Sequence, residues 1–290
     1  MREPLTGEAA RDDRGPASVE LDPATMRALA LHEARAHALV GRRVVDLGDA
    51  ILLHDPRDDD PFWNRLSGLR LPEDPEAFRR RLDVLIAMFA GLGRDPHVWA
   101  SPLHDTPADL PARLEARGFV DLGHGLTMVL ADPTRAVVPP DPAARVALER
   151  HNRPPAADRE RLASEVAALL VAAFRVDPLA RLGLAADLEA SFDAAELTLY
   201  VARVGDTPVA VAKRATFDGA TYLSSIGTRP GWQGRGLGTL VTVAAVRDGL
   251  AEGTGITYLG VFDDNRRART LYERLGFATV GSAAGDFLRP

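Results

Sequence analysis

The amino-acid sequence aligns with itself, and this internal repeat limits the folds open to the chain more than any other feature. When Gly118-Phe119 is placed over Gly276-Phe277, RLEARGFVDLG lies over LYERLGFATVG. The same offset places residues 62–72 (FWNRLSGLRLP) over residues 220–230 (ATYLSSIGTRP), and no gap is needed between the two matches. Each of these segments is typical of a strand that ends in proline, and a helix and a short strand follow it. The repeat therefore indicates a duplicated strand–helix–strand–helix unit.

Two polar or proline-rich segments divide the chain. Residues 132–142 (DPTRAVVPPDP) hold four prolines in eleven positions. Because proline has no N–H to donate to a helix or a sheet, this segment is predicted to be an extended linker. Residues 1–20 are polar and carry charges of both signs, which predicts a flexible tail. We therefore expect two domains, at residues 21–131 and 143–290.

The composition excludes several classes of protein. The chain has 290 residues, of which 46% are hydrophobic and 26% charged, as in ordinary globular proteins. Its net charge of -6 argues against a dedicated nucleic-acid binder. Cysteine is absent, so a disulfide, a thiolate nucleophile and a cysteine metal site are all excluded. No apolar run could span a membrane and no signal peptide is visible, so we expect a cytoplasmic protein without membrane contact.

The spacing of apolar residues predicts a mixed α/β arrangement in the second half. A Gly-Asp pair at residues 205–206 is typical of a hairpin turn between two strands. The predicted order is a strand, two helices, a three-stranded meander, a glycine-rich loop, a helix, a strand, a helix and one final strand. The strands are expected at 145–150, 196–204, 208–216, 221–228 and 256–262, and the helices at 158–174, 179–192, from the glycine loop to about 252, and at 265–275.

The glycine-rich loop, residues 229–238 (RPGWQGRGLG), lies between a predicted strand and a predicted helix. Glycine lets the backbone approach a ligand closely, and the helix N-terminus behind the loop adds a partial positive charge. Together they predict a cradle for a pyrophosphate, and Arg229 and Arg235 add positive charge. The loop lacks Gly-Lys-Ser/Thr and reads GxGxG rather than GxGxxG, which argues against the common nucleotide-binding loops. A glycine-rich turn without any ligand is the alternative.

The second motif is residues 265–277 (NRRARTLYERLGF), which read as a short amphipathic helix. Asn265 is a favourable N-cap and Gly276 a favourable residue just after the helix. Ala268, Leu271, Tyr272 and Leu275 fall on one face. On this pattern alone, Tyr272 is better explained as a core residue, whose phenol needs a polar partner if it is buried.

The two motifs together resemble the GCN5-related N-acetyltransferase (GNAT) superfamily. The matching pattern is Q-x-x-G-x-G at residues 233–238 followed by N-x-x-A-x-x-L-Y-x-x-x-G-F at residues 265–277, with a strand between them. The resemblance is carried by residues 220–280 and extends, by the order of elements, to 143–290. It implies a mostly antiparallel mixed sheet flanked by helices, with two central strands that splay apart. Because the repeat covers both halves, it further implies two tandem domains of this kind.

The resemblance also implies the cofactor and the residues that contact it. The expected acyl donor is acetyl-coenzyme A, and no metal is implied. Its pyrophosphate is expected on the backbone N–H groups of residues 234–239, its pantetheine arm along residues 226–228 and beside Asn265, and its sulfur near Tyr272. The expected cofactor-binding residues are Ile226, Gly227, Thr228, Gln233, Gly234, Arg235, Gly236, Leu237, Gly238, Thr239 and Asn265.

The first half lacks these ligand-facing features, although it keeps the apolar frame. At the glycine-loop position it reads PEAFRR (residues 75–80), and Leu114 and Pro107 stand where the second half has Tyr272 and Asn265. We therefore expect a degenerate, non-catalytic copy of the domain in the first half. Whether it contributes to the acceptor pocket is left open.

The expected reaction is direct attack of a primary amine, from a small molecule or a protein, on the thioester. Tyr272 is the candidate acid for the departing thiolate, since a phenol gives up its proton at a cost of roughly 2 kcal/mol there. No base is evident, because the strand TYLSSIGT carries no carboxylate; Asp177 and Glu196 are possible but unsupported sources. The missing base favours an alternative, a non-catalytic module that senses acetyl-coenzyme A. A nucleotide-binding protein is a third and weaker reading, and neither the acceptor nor the oligomeric state can be deduced.

Overall fold

The computed structural model describes residues 18–138 and 146–290, here called the first half and the second half. In the first half, Asp22 and Asp74 accept backbone N–H groups and so begin the two long helices. Its elements are β1 (Ser18–Val19), α1 (Pro23–Ala38), β2 (Arg43–Asp46), β3 (Ile51–His54), β4 (Arg65–Ser67), α2 (Pro75–Leu92), β5 (His97–Ala100), α3 (Leu110–Glu115) and β6 (Val120–Leu130).

The second half follows the predicted order of helices and strands closely. The Gly-Asp turn at residues 205–206 joins two antiparallel strands, as the sequence predicts. Its elements are β7 (Val146–His151), α4 (Ala156–Phe174), α5 (Arg181–Ser191), β8 (Leu197–Val204), β9 (Thr207–Phe217), β10 (Ala220–Thr228), α6 (Leu237–Ala251), β11 (Ile256–Phe262), α7 (Arg266–Arg274), β12 (Phe277–Val280) and β13 (Ala284–Leu288).

All the strands of the described residues belong to one mixed sheet, and the two halves exchange strands within it. The order along the sheet is β2-β3-β4-β5-β13-β6-β11-β10-β9-β8-β7, with β12 beside β6 and β1 beside β12. Thus β13, from the end of the second half, lies between β5 and β6 of the first half. In return, β6 runs on to pair with β11 and β12. Neither half therefore completes its sheet alone.

The helices cover the two faces of this sheet. Helices α6 and α7 pack on one face, where Leu223 and Leu259 of β10 and β11 lie in their core. Helices α4 and α5 pack on the opposite face over β8 and β9, and α1 of the first half covers β10 and β11 on that same face. Helix α2 packs against β4 and β5 in a separate core. The first half thus supplies a helix to the back of the second half's central strands.

The two central strands of the second half separate part-way along their length. Strands β10 and β11 pair in parallel only as far as Leu223 and Leu259. Beyond that point β10 continues to Thr228 against β9 alone, with an irregular register between Ser224 and Gly227. Ser225 in this bulge has a positive φ of 51°, which is uncommon for a residue with a side chain. The backbone of residues 224–228 is therefore free on the side that faces away from β9.

Several local predictions are wrong. Residues 62–72 form only the three-residue strand β4, because Pro61 opens a 3-10 turn over 61–63 that Asp60 caps. The predicted single final strand is two strands, β12 and β13, separated by a turn at Gly281, whose φ is positive. The separation allows β13 to leave β12 and join the first half.

The two segments predicted to be irregular also contain ordered contacts. Within 132–138, Pro133–Arg135 is a 3-10 turn, and Ala131 and Asp132 donate N–H groups to the carbonyl of Gly276. This part of the predicted linker therefore packs on the second half; residues 139–142 lie outside the described residues. Likewise Ser18–Val19 of the predicted tail forms β1, whereas residues 1–17 lie outside the described residues.

The predicted fold class is confirmed at the level of a mixed α/β fold with a mixed sheet and helices on both faces. The finer division into two tandem domains at 21–131 and 143–290 stays a prediction. Strands β6 and β13 each pair with strands on the other side of that boundary. No helix in the described ranges has the length and apolar character that crossing a membrane requires.

Candidate active site

A groove of about 1000 Å³ lies between the free part of β10, the N-terminus of α6 and one face of α7. Every residue that the sequence analysis places at the cofactor or the thioester lines this one groove. They are Ile226, Gly227, Thr228, Gln233, Gly234, Arg235, Gly236, Leu237, Gly238, Thr239, Asn265 and Tyr272. The structure therefore brings together residues from one strand, one loop and two helices.

The glycine loop presents unpaired backbone N–H groups to the groove. Gly234 and Gly236 have φ values of 80° and 74°, which glycine adopts without the strain that a side chain would cause. Gly236 is the N-cap of α6 and offers no side chain to cap it. Among the described residues, no protein acceptor takes the N–H groups of residues 234–239. Such a set of free donors at a helix N-terminus is a binding site for an anion.

Gln233 fixes the loop against its two neighbours. Its side-chain nitrogen donates to the carbonyl of Thr228 at 3.2 Å, and its oxygen accepts from Arg267 at 2.7 Å. One side chain thus ties the end of β10 to the first turn of α7. This contact explains why a glutamine stands at this position of the motif, since an amide can donate and accept at once.

Arginine side chains surround the groove. Arg235 lies over the ring of Trp232 at 4.8 Å, a contact that supports the guanidinium at the edge of the loop. Arg135, Arg267 and Arg274 also line the groove, and the sequence analysis missed them because each is unremarkable alone. Arg229, by contrast, turns away and donates to the carbonyl of Pro208 at 3.2 Å.

Glycines allow close packing along the strand side of the groove. A Cβ at Gly227 would lie 3.2 Å from the Cβ of Ala173 on α4, and a Cβ at Gly238 would lie 3.3 Å from Oγ1 of Thr228. Both distances are tighter than ordinary van der Waals contact. Small residues here therefore let α4 and α6 approach the free edge of β10 and narrow the groove.

Asn265 and Tyr272 lie on α7, as predicted. Asn265 caps the helix by accepting the N–H of Ala268 at 3.2 Å, which leaves its amide nitrogen free to donate. Tyr272 is buried against the core that includes Phe277. Burial raises the pKa of Tyr272 above its ordinary value. Full proton transfer from this phenol is consequently more uphill than an unperturbed tyrosine would give, and donation of a hydrogen bond is its more accessible role.

The residues present fit a ligand with a pyrophosphate and an extended polar arm. The unpaired N–H groups match the pyrophosphate, the arginines match its charge, and the free edge of β10 matches an arm with amide groups. No group of acidic or histidine side chains in the described ranges has the arrangement of a metal site.

A buried polar cluster on the other face of β10 was not predicted. Tyr222 of β10 donates to Glu33 of α1 at 3.4 Å, and Arg65 of β4 donates to the same carboxylate at 3.0 Å. Burial raises the pKa of Glu33, but the hydrogen bond with His37 and the charge of Arg65 outweigh it and hold this pKa below its usual value. Burial lowers the pKa of His37 to about 4, so it is uncharged near neutral pH. No local pattern signals these contacts, since they join three distant segments.

The two carboxylates considered as bases lie elsewhere. Asp177 is exposed and caps a short 3-10 turn by accepting the N–H of Leu179 at 2.9 Å. Glu196 is exposed immediately before β8. Neither side chain lines the groove.

Residues 165–277 match the model of the acetyltransferase (GNAT) family. The match spans the glycine loop, β11 and α7, so it covers the whole groove on the α6–α7 side. Together with the relatives below, it supports an enzyme of the N-acetyltransferase class.

Two curated relatives are mycothiol acetyltransferases from Streptomyces scabiei and Streptomyces avermitilis. Each is 48% identical over 54 residues, which cover 19% of this chain and 18% of the relative. The similarity thus spans about a fifth of the length of these relatives.

Solved structures are similar over nearly the whole chain. A GCN5-related N-acetyltransferase from Kribbella flavida superposes with a TM-score of 0.65 at 23% identity, covering 91% of this chain and 95% of that one. A tandem GNAT protein from the clavulanic acid biosynthesis pathway gives a TM-score of 0.59 at 16% identity, covering 82% and 77%. At these identities the likeness shows a shared fold.

Proposed function

We propose that this protein transfers the acetyl group of acetyl-coenzyme A to a primary amine of a small molecule or a protein. The observation that carries the proposal is the continuity of one groove, from a cradle of unpaired N–H groups, along the free edge of β10, to the buried phenol of Tyr272. The family match and the two mycothiol acetyltransferases support the same class of reaction. Because those relatives are named for a small molecule, a small-molecule amine is the first acceptor class to test.

Each part of the groove has a distinct task in this proposal. The N–H groups of residues 234–239 and the guanidinium of Arg235 bind the pyrophosphate. The backbone of Ile226 and Thr228 binds the pantetheine arm as an added strand would, and Asn265 donates to it. These contacts fix the thioester near Tyr272 and so convert a bimolecular encounter into attack within one complex.

The chemistry needs no covalent enzyme intermediate. Acetyl-coenzyme A supplies an activated acyl group, and the amine displaces the thiolate. Tyr272 donates a hydrogen bond toward the departing sulfur from a site where burial keeps the phenol protonated. The core around it excludes water and so limits hydrolysis of the thioester.

A module that binds acetyl-coenzyme A without turnover is the second candidate. It is favoured by the strand β10, which contributes no carboxylate to the groove. The two functions share the binding step and differ in whether acetyl transfer to an amine is observed.

The test begins with calorimetric titration of acetyl-coenzyme A into the wild type and two variants. Gly236→Glu places a carboxylate in the cradle but also strains a residue with positive φ. Thr239→Glu places the same charge in the first turn of α6 without that strain, since a first-turn glutamate stabilises a helix. We expect binding to the wild type and loss of binding, by at least about tenfold, in both variants.

Gly91→Glu is the matched control, because it adds the same side chain at an exposed helical position of α2 with open space around it. It should bind like the wild type. Absence of binding to the wild type would overturn the proposal. Binding without acetyl transfer to any amine in a broad screen would favour the second candidate.

A further inference from the structure

Lys213 occupies a position on β9 that the proposed reaction leaves unused. In register it lies opposite Ser224, the last residue of β10 that pairs regularly before the bulge. Directly opposed residues of antiparallel strands point to the same face. Lys213 therefore projects from the sheet beside the point where β10 separates from β11.

The neighbours of Lys213 on β9 define what covers it. Val211, two residues earlier, packs under α4 and α5, whereas Ala215, two residues later, packs under α1. Since side chains alternate along a strand, Lys213 lies on this same face, between the two covers. The groove for acetyl-coenzyme A opens mainly toward α6 and α7 on the other face. Lys213 and the groove therefore lie on opposite faces of the sheet formed by β9 and β10.

Lys213 has no counter-ion. In the described parts of the chain, its ammonium group makes no ion pair and no hydrogen bond, although its side chain is largely covered. The nearby carboxylates are otherwise engaged: Asp55 forms an ion pair with Arg42 at 3.1 Å, and Asp187 of α5 also pairs with Arg42. Burial of most of a lysine side chain without a counter-ion disfavours its charged form.

The electrostatics of the site agree with that geometry. Burial lowers the pKa of Lys213 to about 8; the charge of Arg42 acts in the same direction and Asp187 opposes it. His37 of α1 is the other titratable group that faces it, and with a pKa of about 4 it carries no charge above pH 6. Of Lys213 and His37, Lys213 is the group whose pKa lies near neutral pH.

We propose that Lys213 is the general base that takes the proton of the acceptor amine. This inference rests on the proposed acetyl transfer. It assigns a role to the first half as well, because Arg42 lies just before β2 and its charge adds to burial in lowering the pKa of Lys213.

The protons and bonds balance without a further reactant. The nitrogen lone pair of the acceptor attacks the carbonyl carbon, the C–N bond forms and the C–S bond breaks. The neutral amine of Lys213 takes one proton from the acceptor nitrogen, and the thiolate departs with a hydrogen bond from Tyr272 and then takes its proton from solvent. Lysine then returns its proton to solvent. A base with a pKa near the working pH suits this step better than an ionised carboxylate with a depressed pKa.

The test compares the pH dependence of kcat/KM for one amine in the wild type and Lys213→Met. The wild type should lose activity as the pH falls through about 8, since Lys213 becomes protonated. Lys213→Met should lower kcat/KM by about 100-fold and abolish this fall in activity on the acidic side of the pH profile. The Kd for acetyl-coenzyme A should stay unchanged. Protonation of the amine substrate also lowers kcat/KM at low pH, but this effect is the same for the wild type and the variant.

A second variant separates the base from a structural lysine. Because the chain contains no cysteine, Lys213→Cys can be alkylated at that site alone to give S-aminoethylcysteine. This analogue has lysine's shape but a lower intrinsic pKa, because the sulfur withdraws electrons. The alkylated variant should regain activity, and the pH at which its activity falls should be lower than in the wild type. Asp187→Asn should move it in the same direction, since the carboxylate raises the pKa of Lys213.

The outcomes are distinct. Full activity with an unshifted limb in Lys213→Met would overturn the role of Lys213 and leave the proposed function intact. A uniform loss of activity at every pH, with no shift after alkylation, would also overturn it in favour of a packing role. A wild type that binds acetyl-coenzyme A and acetylates no amine would overturn both proposals.

Discussion

The N-termini of α2 and α6 lie at matching positions of the predicted sequence repeat and differ in what fills them. In the first half, the carboxylate of Asp74 accepts the N–H of Ala77 at 2.8 Å, and Pro75 has no N–H to offer. In the second half, Gly236 caps α6 without a side chain, and the first-turn N–H groups stay free. A helix whose own carboxylate occupies its N-terminus cannot also hold a phosphate there.

The paired strands beside these helices differ in the same sense. After β4 and β5, buried Asp105 accepts the N–H of Leu69 at 2.8 Å and that of Ser101 at 2.7 Å. Thr106 adds backbone bonds to Leu69 and Leu71. These bonds hold β4 and β5 together beyond their pairing. At the matching position of the second half, β10 and β11 separate instead. In the first half, these backbone N–H groups are hydrogen-bonded to carboxylates of the protein. In the second half, the N–H groups at the start of α6 have no such acceptor.

The largest expected effect on stability comes from removing the carboxylate that holds β4 and β5 together in the first half. Asp105→Ala removes the acceptor of two buried N–H groups, which should lower the free energy of unfolding by about 3 kcal/mol. Urea unfolding followed by circular dichroism would measure the change. Acetyl-coenzyme A binding should survive where the variant is folded, since Asp105 does not line the groove; a loss of binding by folded protein would contradict the division of roles.

Replacing Tyr272 tests the same comparison with a smaller expected effect. The predicted repeat places Leu114 of the first half at this position. Tyr272→Phe removes the hydroxyl and keeps the ring in its core. We expect kcat to fall by about tenfold, since one hydrogen bond to the departing sulfur is lost, with the Kd for acetyl-coenzyme A nearly unchanged. Steady-state kinetics with one amine and calorimetry would measure the two effects. Unchanged turnover would remove Tyr272 from the reaction.

The smallest effect concerns the cap of α2. Asp74→Ala should cost about 1 kcal/mol of stability, because the N–H of Ala77 loses its acceptor. It should not create a second binding site, since Glu76 still stands in the first turn and the strands beside it stay closed. The calorimetric stoichiometry for acetyl-coenzyme A should therefore remain one. A second bound equivalent would show that the cap alone keeps the first half closed.

The groove could be predicted because its residues lie in two short segments with local rules. Glycines before a helix, a capping asparagine and a helical stripe identify residues 233–239 and 265–277 without knowledge of the rest. The sequence also indicates the order of elements in the second half, where each hairpin or crossover joins neighbours in the chain.

What could not be predicted depends on contacts between distant segments. The exchange of β6 and β13 could not be predicted, because Gly118-Phe119 leads into β6 whereas the matching Gly276-Phe277 leads into β12, and no local pattern separates β13 from β12. The environment of Lys213 depends on Arg42 and His37 in the first half, and the contact of Glu33 with Tyr222 joins α1 to β10. Lys213 itself reads as an ordinary strand residue until those neighbours are known.

The place of β13 has a consequence for how the chain is made. Residues 284–288 fill the gap between β5 and β6, yet they leave the ribosome after every strand that they pair with. Until then the first half keeps two unsatisfied strand edges, which are prone to wrong pairing. Synthesis of β13 is thus needed before either half can complete its sheet, and a chain that stopped before residue 284 would leave β5 and β6 without their shared partner.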